Sequence, residues 1–230
     1  MTGRRGFLGG ALGLAAAAGA RAWGVSAPGG SLTAPAKGTI DVAFLVSDGA
    51  ALIDFCGPWE VFGDVTVEGR DPESPFRLYT VADSAARVRV AGGMQIVPDF
   101  TIANAPAPRV IVIPAMSPTP AVLDWLRQRS ASADLVMSVC TGAFTLARTG
   151  LLDGGPATTH HLFLDRLGRD FPRVEVRRGK RFVERERLAT AGGLTSGIDL
   201  ALRVVERYFG RTVALRTAEY MEYESRAWVV

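Results

Sequence analysis

The sequence predicts an α/β domain of three layers, with a doubly wound, mostly parallel sheet between helices. Three observations carry this. Residues 40–46, 110–114 and 135–139 are largely apolar runs of strand length, the pattern of strands buried on both faces. Residues 120–129 and 195–209 repeat apolar side chains at helical spacing. The run at 135–139 passes through Cys140 directly into a second helical pattern at Thr141, Ala143, Leu146 and Ala147, so strand, sharp turn and helix alternate as a parallel sheet requires.

The elements follow in order. The strand at 40–46 ends at Asp48-Gly49. Leu52, Ile53, Phe55, Val61 and Phe62 surround Gly57-Pro58-Trp59-Glu60, which reads as a loop feeding a short helix with Pro58 near its start. A strand covers 76–82, and 87–91 with 94–98 flank Gly92-Gly93 as a hairpin. The run at 110–114 leads to an amphipathic helix at 120–129 carrying Val122, Leu123, Trp125 and Leu126. Beyond the Cys140 unit come a turn at Asp153-Gly154-Gly155, a helix over 160–169, strands near 174–176 and 181–183, and a last strand at 188–191. Gly192-Gly193 opens a long helix, 195–209, with Ile198, Leu200, Ala201, Val204 and Val205 inward, and a final helix covers 212–224. Open sheets of this kind place their sites at the carboxyl ends of strands, and Cys140 stands at one.

The first 27 residues read as a leader. Arg4-Arg5 precedes an apolar, Ala/Gly-rich stretch at 8–20, too short and small-sided to span a membrane, and Val25-Ser26-Ala27 is a small-x-small cleavage site. This is a twin-arginine export pattern, and it implies the export machinery as a partner and a periplasmic or secreted location. No cysteine follows closely, so a lipid anchor has no attachment point. Residues 28–38 read as a flexible lead-in to a domain at 39–230. The net charge of +3 comes from 26 basic and 23 acidic residues; Arg4, Arg5 and Arg21 lie in the leader, so the remainder carries 23 of each. A neutral domain gives no reason to expect nucleic acid. The basic cluster Arg177-Arg178-Gly179-Lys180-Arg181 continues into Glu184-Arg185-Glu186-Arg187, and this alternation of sign reads as a solvated hairpin rather than a binding patch.

Cys140 has two readings. Ser138 and Gly142 flank it as small residues, which a tight strand-to-helix turn needs to hold a nucleophile clear of the backbone. There the positive end of a helix is expected to favour thiolate and lower the thiol pKa. The other reading is a buried cysteine acting as a small hydrophobe.

Five motifs in order carry a resemblance: 53–62 (Ile53-Asp54-Phe55-Cys56-Gly57-Pro58 at its start), Ser138 to Ala143, Gly150 to Gly154, Ala157 to His160, and Ala191 to Ala201. Together they resemble the ThiJ/PfpI superfamily of class I glutamine-amidotransferase-like proteins, over about residues 40–223, nearest the branch of isonitrile hydratases and the sensor domains of AraC-type regulators. The resemblance implies a flavodoxin-like fold, a homodimer, a small neutral molecule as substrate and no cofactor. In isonitrile hydratases the elbow cysteine attacks the terminal isocyanide carbon, an acid in the first βα connection shuttles protons, and water releases a formamide. Residue by residue, this makes Cys140 the nucleophile and Asp54 the acid/base. Thr141 assists through its N–H and hydroxyl, and Gly142 through its missing side chain and its amide. The alternative for Asp54 is a helix-capping carboxylate.

Two departures accompany the resemblance. Where relatives carry Gly-Gly after the third strand as a backbone donor opposite the nucleophile, this chain has Pro114-Ala115-Met116-Ser117-Pro118. The Ala115 and Met116 amides are then the expected donors, with Met116 crowding the pocket. Thr141 also stands where the superfamily's peptidases carry histidine, which argues against a Cys-His protease. His160, beside His161, is counted with the pocket lining. No second cluster of metal ligands lies near either histidine, so no metal is expected. Two functions remain open: a cysteine-dependent hydratase, or a module that binds a small molecule without turnover.

Overall fold

The computed structural model describes residues 29–230; the expected export leader at 1–27 lies outside the described residues. A seven-stranded sheet runs through the centre in the order β10 (Phe182–Glu184), β11 (Leu188–Ala191), β7 (Leu135–Ser138), β6 (Val110–Ile113), β1 (Ile40–Leu45), β2 (Phe76–Ala82) and β5 (Phe100–Thr101). All its pairs are parallel except β10 with β11. Successive side chains on a strand point to opposite faces. Val42, Phe44, Val110 and Val112 therefore pack under α1 (Leu52–Gly63), α5 (Ser196–Phe209) and α6 (Arg211–Tyr220). Ala43, Leu45, Ile111 and Ile113 pack under α2 (Pro120–Ser130), α3 (Gly142–Arg148) and α4 (Leu164–Asp170). The chain leaves β1 toward β2 and later returns to β6 on its other side, so strand order reverses between β1 and β6. Crevices in such sheets open at the carboxyl ends of strands at that reversal.

Several local expectations need correction. Gly57-Pro58 is not a loop: α1 starts at Leu52 and runs through Pro58. Phe55, Pro58, Val61 and Phe62 are all buried and share a helical face, and this burial outweighs the loss of one N–H donor at Pro58. Gly57 allows α5 to approach, since a Cβ there would lie 2.9 Å from Ile198 Cγ1. The helix expected at 160–169 is split into a 3-10 turn, His161–Phe163, and α4, because the His160 ring accepts the Leu162 N–H and closes its own turn. The last helix stops at Tyr220, where Glu222 takes φ +51° and the Tyr223 N–H returns to the Ala218 carbonyl. The Gly92-Gly93 hairpin is present but short, β3 (Val88–Arg89) against β4 (Gln95–Ile96).

The charged stretch after Arg177 is not uniformly solvated. β9 (Glu175–Val176) pairs with β8 (Pro156–Ala157), not with β10. Arg177 pairs with Glu175, Arg178 with Asp165, and Arg181 with the fully buried Asp199, so much of the basic cluster is neutralised within the chain. Glu184 turns inward onto Arg203 and Arg207 of α5. The same two arginines, with Arg109, pin the lead-in expected to be flexible: Arg203 donates to the Gly29 carbonyl, Arg207 to that of Gly30, and Arg109 to that of Thr33. Among the described residues no helix is long and apolar enough to cross a membrane.

Candidate active site

Cys140 follows β7 at the turn into α3 and holds φ +57°, a left-handed conformation that a non-glycine residue adopts at some cost. Neighbouring backbone fixes it there. Its N–H donates to the Gly192 carbonyl at 2.7 Å, and its carbonyl accepts the Thr159 hydroxyl at 2.8 Å. The turn closes only because residue 142 is glycine: a Cβ there would lie 2.2 Å from the Ile113 carbonyl oxygen and 2.7 Å from that of Pro114. The Gly142 amide is spent on the Val139 carbonyl, 2.9 Å away, so it is not available as an oxyanion donor.

Asp54 lies in the first turn of α1 and is fully buried. It makes no cap hydrogen bond; its Oδ2 accepts the Ala115 N–H at 2.9 Å, while Oδ1 has no partner. The Ala115 amide, expected to face an oxyanion, is thus engaged by Asp54. Burial pushes the Asp54 carboxyl up to about 6, against the Ala115 hydrogen bond that favours its charged form. Asp54 is close enough for its charge to act on the Cys140 sulfur.

The thiol does not carry the depressed pKa expected of an elbow. Burial first, and the Asp54 charge second, raise it, and together they outweigh the N–H groups of Thr141 and Leu194 and the Thr141 hydroxyl, which favour thiolate. An anion on Asp54 therefore disfavours one on the sulfur, and the two groups titrate as a coupled pair.

The structure therefore brings Cys140, Asp54 and Thr141 together, with Ala115 behind the carboxylate and Gly142 under the turn. His160 packs against the loop that holds the Cys140 backbone. Its ring lies on Gly193, where a Cβ would come within 2.4 Å of Cδ2, and stacks on His161 with centroids 4.5 Å apart. Met116 walls a cavity of about 190 Å³ that reaches Thr141. Sequence reasoning missed Leu194, whose φ of +51° turns its N–H to the sulfur. The preceding Gly192-Gly193 was the available signal, and it reads equally well as a plain helix start. Among the described residues, no group of three or more His, Cys, Asp or Glu is arranged to hold a metal ion. Both cysteines are free thiols.

Comparison with known proteins agrees with the fold. The family model described as DJ-1/PfpI matches residues 40–207, most of the chain. The chain belongs to the DJ-1/PfpI family. This DJ-1/PfpI chain is 30% identical over 190 residues to isonitrile hydratase of Pseudomonas putida, covering 80% of the chain and 78% of that enzyme. It is 29% identical over 189 residues to the transcriptional regulator GbdR of Pseudomonas aeruginosa, again over 80% of its length but spanning only 50% of the regulator. Among solved structures, a ThiJ/PfpI family protein from Pseudomonas syringae superposes with a TM-score of 0.71 at 28% identity, covering 84% of this chain and 78% of that one. The same DJ-1/PfpI fold appears in Drosophila melanogaster DJ-1beta, with a TM-score of 0.67 at 19% identity over 81% of this chain and 100% of that one.

The Asp54 shift sets a pH dependence of stability. A carboxyl that titrates near 6 in the fold and near 3.8 in the unfolded chain is held more tightly as the acid. Its contribution is fully present below about pH 4 and is lost as pH rises through about 6, roughly 3 kcal/mol in all. Asp54→Asn removes that loss and can still accept the Ala115 N–H. Its stability relative to wild type, read from urea unfolding, is expected to improve by about 2–3 kcal/mol between pH 4 and pH 8. An equal difference at both pH values would show that Asp54 ionises freely in the fold.

Proposed function

We propose that the protein is a cysteine-dependent hydratase of the isonitrile hydratase type, converting a small isocyanide to an N-substituted formamide. The observation that carries this reading is the Asp54 carboxyl, buried beside the sulfur with one oxygen held by Ala115 and the other without a partner. Such a group is poised to take a proton, hold it and return it. The similarity to the Pseudomonas putida enzyme supports the same reading.

The reaction follows from these parts. As the terminal carbon of R–N≡C approaches, the Cys140 proton passes to Asp54 and the sulfur attacks. Asp54 then gives that proton to the carbon, leaving the thioimidate R–N=CH–S–Cys140 and an ionised carboxylate. Water adds to the same carbon, with Asp54 taking one of its protons and delivering it to nitrogen. The tetrahedral adduct R–NH–CH(OH)–S–Cys140 collapses: the C–S bond breaks, the hydroxyl proton returns to sulfur, and R–NH–CHO leaves. The Thr141 and Leu194 N–H groups support the sulfur while it carries negative charge. The test is incubation with cyclohexyl isocyanide and detection of cyclohexylformamide. Steady formation over many turnovers is expected, and its absence at any pH between 6 and 9 would overturn the reading.

A second reading has its own support. The regulators matched over about half their length point to a module that binds a small molecule without turning it over, and a thiol kept protonated at neutral pH suits that role too. Calorimetric binding without product would favour it. Export through the twin-arginine route and assembly as a homodimer belong to the same proposal; N-terminal sequencing of the protein from its native host and sedimentation test them.

A further inference from the structure

The peptide joining Cys140 to Thr141 serves the site on one side and is anchored on the other. A trans peptide holds its C=O and N–H on opposite sides of one plane, so whatever fixes the oxygen also sets the direction of the hydrogen. The hydrogen here is that of the Thr141 amide, which bonds the Cys140 sulfur and favours thiolate. The oxygen accepts the buried Thr159 hydroxyl at 2.8 Å, while a second donor, the Ala143 N–H, stands off at 3.5 Å. Such a brace is needed because Cys140 holds φ +57°, where a non-glycine residue stays only if its surroundings over-determine it.

The segment that carries Thr159 is itself fixed from two sides. The Thr158 N–H donates to the Thr190 hydroxyl of β11 at 2.8 Å, and both of these threonines are buried. On the other side the His160 ring lies on Gly193, directly before Leu194, whose N–H is the second backbone donor to the sulfur. Residues 158–160 therefore stand behind both donors, although Thr159 is 19 residues from Cys140 in sequence. No step of the proposed reaction uses Thr159.

We infer that Thr159 is a positioning residue of this site: its hydroxyl sets the plane of the Cys140–Thr141 peptide and so keeps the Thr141 N–H on the sulfur. Exchanging the hydroxyl for a methyl group keeps the bulk and removes the donor. The strained turn then relaxes, the N–H swings off the sulfur, and thiolate is disfavoured. This deepens the hydratase reading and rests on it for the role in turnover, but not for the effect on the sulfur.

Thr159→Val and Thr159→Ser separate the hydroxyl from the methyl group. Cys140 is alkylated with iodoacetamide across the thiol range and the adduct read by mass, with Cys56 followed on its own peptide. Asp54, the charged group that acts on the sulfur, is present in every variant. In Thr159→Val the rise in reactivity is expected about one pH unit above wild type, with alkylation below the midpoint about tenfold slower, whereas Thr159→Ser should stay within about 0.3 unit of wild type. A Thr159→Val protein that loses stability to urea yet titrates as wild type would make the hydroxyl a packing contact only and overturn the inference, and so would a Thr159→Ser profile displaced as far. Should Thr159→Val not fold, Thr190→Val loosens the same brace one step back: alkylation about threefold slower is expected, and an unmoved profile overturns the inference. Formamide production is read alongside, with kcat about tenfold lower in Thr159→Val and KM unchanged. A displaced profile without hydration of any isocyanide by wild type would end the hydratase reading and leave the brace standing. Equal kcat in wild type and Thr159→Val with an unmoved profile would do the reverse.

Discussion

Cys140→Ala is expected to lose isocyanide hydration by at least about 10⁴-fold while keeping its fold. Removing a covalent nucleophile leaves only positioning and electrostatic help, and in proteases whose residues act as a unit this costs on the order of 10⁴–10⁶. Here the residue fraction left to the rest of the site should be small, because Asp54 works on a proton that the sulfur first supplies. The backbone at position 140 is held by Gly192 and Thr159 through main-chain atoms, so truncating the side chain leaves the anchors of the turn in place. Asp54→Asn should cost less, about 10²–10⁴, the range of general acid–base groups. Formamide production by liquid chromatography checks both. Retention of more than a tenth of the wild-type rate in Cys140→Ala would remove sulfur from the chemistry.

The largest effect on stability is expected far from the sulfur, at Glu184. Its Oε2 accepts from Arg203 Nε at 2.9 Å, and its Oε1 stands 3.5 Å from Arg207 Nη1, an ion pair without hydrogen-bond geometry. Both guanidinium groups are at least nine-tenths buried, and burial presses that of Arg207 downward while Glu184 opposes the shift. Glu206 meets only Arg203 of the pair, at 2.9 Å, and is shared with Arg211. Glu184→Ala therefore leaves Arg207 buried without a carboxylate. Breaking a buried pair from one side costs about 3–5 kcal/mol, far above the value of an exposed pair. The lead-in at Gly29 and Gly30 loses its anchor at the same time, because the same arginines hold it. Urea unfolding of Glu184→Ala measures this, and a loss below about 1 kcal/mol would place the cluster among solvated surface pairs.

Glu184 also shows where sequence reasoning stopped. A run of alternating charge looks solvated from composition alone, and only the antiparallel pairing of β10 with β11 turns this one side chain toward α5. Its partners carried a faint signal: Arg203 and Arg207 are four apart on a helix whose other faces are largely apolar. The central strands were legible because continuous Val and Ile runs have few alternatives in a parallel sheet. Two-residue strands such as β5 and β8 leave no periodicity to read. At the site, Cys140, Asp54 and Thr141 were named from sequence and stand together, and Gly142 was named for a missing side chain that the carbonyls of Ile113 and Pro114 require. What could not be foreseen was the balance of charges. The helix start does favour thiolate, but desolvation and the Asp54 charge are larger, and both depend on depth and neighbours from other elements. The Ala115 amide was likewise assigned by position, whereas the rotation of α1 presents Asp54 to it.

The account depends on one thiol and one buried carboxyl titrating as a coupled pair. The pH dependence of Cys140 alkylation by iodoacetamide, followed by mass in wild type and Asp54→Asn, tests this most directly. In wild type, a low shoulder is expected from about pH 6, from the minor form with the proton on Asp54, followed by the main rise above the ordinary thiol range. In Asp54→Asn the shoulder should vanish and the main rise should move to lower pH. A wild-type thiol that reacts fully well below the free-cysteine value, or a profile that Asp54→Asn leaves unmoved, would contradict the coupling.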